Sequence, residues 1–280
     1  MSLRDTDFII DETNFVERCQ IRPEGYGLVP RDLEMYPTGG YSSCKEMSAL
    51  NEEIPVIPME EWPERIAEKV AKKTQLSDIL KRNKNFKVLN QGNSNYCWAY
   101  ASVGAVMVLR ALHNLPYVRL SGHAVGWKIK GGRNQGGWSA HAMQFICEHG
   151  VPSVAKWKEQ SWDRSQDNDS TWQDAERYKI LENWADVDAP VYNRDLSFQQ
   201  QGTLLLMNVP EPSDYNFWSH AVLGLDLVDF DKGLSARDPM RYGRRIANSW
   251  GQNWGEEGLG VLAPQKGWAD NAVGARSVVF

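Results

Sequence analysis

Between residues 60 and 82, Trp62, Ile66 and Val70 recur at helical spacing, with Glu68, Lys69, Lys72 and Lys73 elsewhere around the turn. This pattern predicts a surface helix packed by one stripe. The run from Cys97 to Leu112, CWAYASVGAVMVLRAL, is apolar or small on nearly every face. It predicts a helix buried through the middle of a lobe, with Ser94 or Asn95 as its cap. A flexible loop, GGRNQGG at residues 131–137, leads to a second predicted helix from Ser139 to His149. The last third changes character. GTLLLMNV, HAVLGLDLVDF, RRIANSW and GLGVLA are short apolar runs separated by Gly, Asp and Asn, which predicts antiparallel strands. Residues 1–54, including RPEGYGLVPRDLEMYPTGGY, show no sustained period and read as an extended or looped segment. The order is an N-terminal extension over 1–54, then a domain over 55–280. That domain divides into a helical lobe at about 88–195 and a β-rich lobe at about 196–280, an α+β arrangement. The chain carries no internal repeat.

Composition removes some classes of function. The 280 residues carry a net charge of −5 with no long basic run, so there is no electrostatic case for nucleic acid or an anionic membrane. No stretch approaches the roughly 18 apolar residues of a membrane span. The start, MSLRDTDFII, lacks the basic and apolar regions of a signal peptide. The four cysteines, Cys19, Cys44, Cys97 and Cys147, show no paired C-x-x-C spacing, so no metal or other cofactor is expected. Few cysteines and no leader predict a reducing, intracellular setting, with a Cys19–Cys44 bridge as a minor alternative. Twelve tryptophans point to large aromatic surfaces in the core or a cleft.

Three segments carry chemistry. In Q-G-N-S-N-Y-C-W-A-Y-A, from Gln91 to Ala101, a cysteine stands at the first turn of a buried helix. Positive potential at a helix N-terminus favours the thiolate, the nucleophilic form. The Gln91 side-chain amide and the Cys97 backbone N–H can converge as an oxyanion hole. A thiolate nucleophile needs an imidazole oriented by a third group. S-H-A-V-L-G offers His220 at the head of an apolar strand, and A-N-S-W-G-Q-N-W-G-E-E-G offers Asn248 at the end of another. Neighbouring strands bring both tips to one end of a sheet, with Trp250 placed to cover the His220–Asn248 hydrogen bond.

In order and content these segments resemble the papain-like cysteine peptidases, whose Cys-His-Asn set they reproduce as Cys97, His220 and Asn248. The His and Asn follow Cys97 by roughly 120 and 150 residues, near the family separation of about 130–150. The resemblance covers about residues 88–263, with echoes at Leu120-Ser121 and Gly136-Gly137-Trp138. It implies a two-lobed fold, helical lobe plus β-barrel-like lobe, with the cleft between. It also implies a thiol protease (a hydrolase) that cleaves a peptide or protein substrate through an acyl-thioester on Cys97. Gln91 would be an oxyanion donor, Gly136 and Gly137 a substrate-binding edge, and Trp98 and Trp250 active-site support. Two features depart from the family. Ser94, Asn95 and Tyr96 replace Cys-Gly-Ser before the nucleophile, so Asn95 and Tyr96 are expected to reshape the substrate pocket. Asn134 stands where the disulfide partner belongs. The rival readings are a papain-fold binding or structural module and a transglutaminase-type acyl transferase.

Several residues have blander readings. His123 lies in a second H-A-V but has no Asn-Ser-Trp-Gly at strand spacing after it, so it is expected to be structural. His113, His141 and His149 read as helix-surface or cap residues, Cys147 as a core thiol, and Arg244 and Arg245 as a charged strand edge. Residues 1–54 are expected to be a permanent strap, packed on the two lobes or on a partner chain, that leaves Cys97 reachable. The alternative is an inhibitory segment lying near Cys97.

Overall fold

The computed structural model describes residues 3–20, 25–36, 56–83, 85–181, 184–188 and 194–280. The helix Cys97–Leu112 (here α4) is buried along almost its whole length, as its uniformly apolar surface requires. It packs on one side against the helices Gly122–Ile129 (α5) and Ser139–His149 (α6), and on the other against the sheet. Its cap differs from expectation. Tyr96 is the N-cap residue and no side chain caps the helix. The Ser94 hydroxyl donates instead to the Gln91 carbonyl at 2.8 Å, and the Asn95 amide donates to the Asn134 carbonyl. Ser121 caps α5 by accepting from Ala124 N–H.

The sheet has seven strands in the order β1-β6-β5-β4-β3-β7-β2: Ile9–Ile10 (β1), Leu259–Leu262 (β6), Tyr242–Ala247 (β5), His220–Asp229 (β4), Glu211–Tyr215 (β3), Asn271–Ala275 (β7) and Trp184–Asp188 (β2). All pairings are antiparallel except β1 on β6. The sheet is open: β1 and β2 are its two edges and do not pair with each other, so the barrel-like closure implied by the family resemblance is absent. The lobe boundary shifts as well. β2 joins the sheet before residue 196, and Ile9–Ile10 joins it from the N-terminal extension.

Two readings of the apolar runs change with the structure. The stripe at 60–82 is two helices, Trp62–Lys72 (α2) and Leu76–Arg82 (α3), separated where Lys73 takes a left-handed φ of 53°. GTLLLMNV is not a strand. Its first five residues end the helix Arg194–Leu206 (α8), and an apolar run this short cannot by itself separate helix from strand. The helix lies over Trp62, and a Cβ on Gly202 would stand 2.3 Å from that indole, so only glycine permits the approach. Trp62, Ile66, Leu205, Leu227 and Tyr242 form the core beneath it.

Arg244 and Arg245 are not edge charges. β5 lies between β4 and β6, and both arginines are buried. Arg244 donates to Gln201 Oε1 at 2.6 Å and Ser213 Oγ at 2.8 Å, with Glu211 at 3.5 Å. Arg245 points to the opposite face of the sheet. There it forms a two-pronged pair with Asp7 of the N-terminal extension, and Asp226 lies 3.6 Å away. Asp226 also accepts from Leu76 N–H at 2.8 Å at the start of α3. Burial would raise the Asp7 carboxyl, but the hydrogen bond and charge of Arg245 outweigh it and hold Asp7 below its ordinary 3.8. The pair therefore stabilises the fold above the ordinary aspartate range, and that contribution is lost as pH falls through Asp7's lowered value.

Replacing Asp7 by Ala leaves Arg245 buried with only Asp226 near it. Losing one partner of a buried pair costs about 3–5 kcal/mol, and the residual Asp226 contact places the expected loss near the lower figure. Denaturant unfolding at neutral pH measures it, and the difference between Asp7→Ala and the native chain should shrink as the pH is taken below about 4.

Candidate active site

The antiparallel register of β4 and β5 sets Leu223 opposite Ala247, so the first residue of β4 and the residue after β5 lie at the same end of the sheet. Those residues are His220 and Asn248. Both are fully buried, and His220 Nε2 lies 2.8 Å from Asn248 Oδ1. An amide oxygen only accepts, so the ring donates through Nε2–H, and Nδ1 is the basic nitrogen of the neutral ring. Trp250 stacks on the imidazole at 5.1 Å and 26°, and Trp218 meets it edge-on at 4.8 Å. Together they exclude water from the hydrogen bond.

Cys97 begins α4 beneath this strand end. Its sulfur is placed to accept from the backbone N–H of Ala221, the residue after His220. The thiol is fully buried, and burial pushes its pKa far up, the Ala221 N–H acting against this and the Asp214 charge with it. Burial of this kind disfavours the thiolate form of Cys97.

Gln91 is held from both sides. Its N–H donates to the Ser249 carbonyl at 2.8 Å, and its Oε1 accepts from Ser249 Oγ at 2.6 Å. With the oxygen thus engaged, Nε2 turns the other way. It donates to the Ser94 carbonyl at 2.7 Å and to the Tyr26 carbonyl at 3.1 Å. Ser249 is a positioning residue that sequence reasoning passed over, although it lies inside the Asn-Ser-Trp-Gly run.

Tyr26 belongs to the N-terminal extension, which crosses the site. Tyr26 N–H donates to the Ser219 carbonyl at 3.0 Å. Gly137 N–H donates to the Gly27 carbonyl at 2.9 Å, Val29 N–H donates to the Gly137 carbonyl at 3.0 Å, and Leu28 pairs with Gly137 in parallel. The Tyr26 ring packs on both His220 and Trp250, at 4.8 Å and 4.6 Å. Gly27 has φ of +107°, and a Cβ there would stand 2.2 Å from the Asn95 carbonyl oxygen. Only glycine lets the chain lie so close to the loop that leads into Cys97. Residues 25–29 thus lie along the Gly137 edge and against His220 and Trp250, nearer to the inhibitory alternative than to a strap that leaves the site open. Residues 37–54 lie outside the described residues, as does Cys44; Cys19 is a buried thiol.

The remaining candidates fall as follows. Trp98 underlies Gly137, and its Nε1 donates to the Asn95 carbonyl at 3.0 Å. Gly136 also faces the strap: a Cβ there would meet the Gly27 carbonyl oxygen at 2.6 Å. Asn95 lines the strap with its backbone. Tyr96 is not a wall of the cleft. It is buried against Gly126, His123 and Trp162, and its hydroxyl donates to the Arg133 carbonyl at 2.8 Å. A helix N-cap buried in this way cannot shape a substrate pocket. Asn134 replaces a covalent bridge with amide bonds: its Oδ1 accepts from Asn95 N–H at 2.6 Å and its Nδ2 donates to the Asn93 carbonyl. His123 is buried between Tyr96 and Trp162, and burial lowers it to about 4, so it stays neutral near pH 7. Cys147 is half-buried rather than a core thiol.

No protein-family model matches the sequence, and no curated protein matches it. Solved structures do match. Xylellain, a cysteine protease from Xylella fastidiosa, aligns at 20% identity over 91% of this chain and 96% of its own, with a TM-score of 0.55. The digestive procathepsin L 3 of Tenebrio molitor larval midgut aligns at 18% identity over 68% of this chain and 66% of its own, with a TM-score of 0.52. A recombinant stem bromelain precursor aligns at 21% identity over 68% and 66%, with a TM-score of 0.51. At these identities the likeness is one of fold. No helix of the described residues is long and apolar enough to cross a membrane.

The strap predicts the behaviour of the thiol. In the full chain Cys97 should resist alkylation near neutral pH, because it is fully buried and residues 26–29 pack on His220, Trp250 and the Gly137 edge. Gly27→Val places a branched side chain against the Asn95 backbone and should expel that segment. Timed alkylation with peptide mapping should then show Cys97 labelled much faster in Gly27→Val than in the native chain, with Cys19 still protected. Equal rates would show that the strap does not control access.

Proposed function

We propose that the chain is a cysteine-type peptidase of the papain-like kind, held latent by residues 25–29 of its own N-terminal extension. The observation that carries this reading is the 2.8 Å bond between His220 Nε2 and Asn248 Oδ1 at the strand end against which the Cys97 sulfur is placed. That bond leaves Nδ1 as the base.

The chemistry follows from these positions once the strap is displaced. His220 Nδ1 takes the Cys97 proton, giving a thiolate–imidazolium pair at the N-terminus of α4, where the helix potential favours the anion. The thiolate attacks the scissile carbonyl carbon. Gln91 Nε2, released from the Tyr26 carbonyl, and the Cys97 backbone N–H receive the developing oxyanion. The imidazolium gives its proton to the leaving amine, and an acyl-thioester remains. His220 then draws a proton from water, which attacks the thioester and restores the thiol. Asn248 holds the ring in one plane through both halves, and Trp250 keeps that hydrogen bond dry. A Tyr26 carbonyl already bonded to Gln91 supports the same assignment, since a carbonyl is what this donor is built to receive.

Hydrolysis of a panel of fluorogenic peptides, measured in the Gly27→Val background, tests the reading. Cys97→Ala should abolish turnover, and His220→Ala should reduce it by about 10²- to 10⁴-fold, as loss of a general base does. Gln91→Ala should cost about 10²- to 10³-fold, and Asn248→Ala should cost less than Cys97→Ala because it orients without reacting. Amine incorporation assayed alongside separates acyl transfer from hydrolysis. A strap-released, folded chain that labels at Cys97 but turns over no peptide or ester would favour a binding module and overturn the proposal.

A further inference from the structure

Beyond Val29 the strap reaches Pro30, which has no N–H to continue the ladder, and then Arg31. The Arg31 guanidinium meets Asp186 as a fork: one nitrogen donates to Oδ1 at 2.8 Å and another to Oδ2 at 2.9 Å. The two side chains are only 3% and 1% exposed. Asp186 is held in turn by Asn271, whose Nδ2 donates to its Oδ1 at 3.2 Å. A second carboxylate, Asp214, lies opposite Asn271 on the neighbouring strand β3. Its oxygens are fixed by the N–H of Ser139, at 3.0 Å, and by the Ser139 hydroxyl. Ser139 is two residues beyond Gly137, so this buried acidic cluster lies close in sequence to the backbone edge that binds the strap.

We propose that Asp186, Asp214 and Asn271 form a recognition pocket for a basic side chain of the peptide substrate, and that Arg31 occupies it in the resting chain. The inference rests on the peptidase reading above and names its substrate class. When the strap leaves, the pocket loses its cation and retains two aligned acidic side chains from two strands. A planar guanidinium is the group their geometry fits, since the Asp186 carboxylate is presented for two parallel N–H donors. A neutral or acidic side chain there would not replace the charge-assisted fork that Arg31 makes with Asp186. Arg31 is thus both the strap's latch and an internal copy of the ligand. The strap enters the cleft through Tyr26 on Gln91, follows the Gly136–Gly137 edge and ends with its basic residue in the pocket.

The test uses the full chain with Arg31→Ala, which empties the pocket. The probe is N-acetylarginine amide, with N-acetylcitrulline amide as the neutral isostere. The arginine derivative should raise the thermal midpoint of Arg31→Ala in a concentration-dependent way. The citrulline derivative should not, and Asp186→Asn added to Arg31→Ala should remove the response. Equal action of the two probes, no action of either, or a response that survives Asp186→Asn would overturn the pocket. Should Arg31→Ala fail to fold, the native chain answers instead. There the arginine derivative should compete with Arg31 and speed Cys97 alkylation severalfold over the citrulline control, and equal rates would overturn the proposal. These readouts do not depend on catalysis, so they separate failure of the pocket from failure of the peptidase reading. In the strap-released chain carrying Arg31→Ala, substrates with Arg about five residues from the scissile bond should be cleaved at least about tenfold faster than norleucine analogues, a difference of about 1.4 kcal/mol. Asp186→Asn should collapse that ratio, and a ratio unchanged by it would count against the assignment.

Discussion

The register between β4 and β5 is the constraint on which the rest of the site depends. A strand slipped by one residue turns every side chain to the opposite face. Here that slip would carry His220 away from Asn248 and send Arg244 and Arg245 to each other's side of the sheet. The two arginines pin the register with different partners, Gln201, Ser213 and Glu211 on one face and Asp7 and Asp226 on the other. A shift in the β4–β5 ladder between Gly224 and Asp226 reconciles this pinning with the ends of the strands. His220 and Asn248 are thus aligned by charges buried some residues away from them.

The same pinning ties the N-terminal extension to the strand end that carries His220 and Asn248. Asp7 is the extension's own residue, so the pair that fixes the sheet also holds the strap. Phe8 and Ile10 carbonyls accept from the N–H groups of Val261 in β6 and Ala263 just after it, and Arg31 engages Asp186 at the far end. Between these two anchors Gly27 passes so close to the Asn95 backbone that any Cβ there would clash.

The candidate site was more legible in the sequence than the fold around it. Cys97, His220 and Asn248 announce themselves through local runs, because a nucleophile at a helix start and a dry, turn-bounded Asn-Ser-Trp-Gly are short-range requirements. The helix Cys97–Leu112 was equally plain from its lack of a polar face. What failed depended on partners distant in sequence. An apolar GTLLLMNV could not reveal that Trp62 waits above Gly202 and favours a helix. Arg244 and Arg245 looked like edge charges because their buried partners come from Asp7, Glu211 and Asp226. Tyr96 looked like a cleft wall because its burial against Gly126 and Trp162 depends on how two helices pack. The strap's path was illegible for the same reason, although the Gly25-Tyr26-Gly27 spacing marks where a chain can pass close to another backbone.

The proposed chemistry requires Cys97 and His220 to form an ion pair once the strap is displaced. The pH dependence of Cys97 alkylation in the full-length Gly27→Val chain tests it most directly. A thiolate held by an imidazolium at a helix N-terminus has a pKa of about 3.5–7.5. The account therefore predicts labelling that stays fast well below neutral pH and slows only as the pair is protonated, with His220→Ala abolishing the acidic limb. A rate that rises only as pH approaches the ordinary thiol value of 9.0, and is unchanged by His220→Ala, would contradict it.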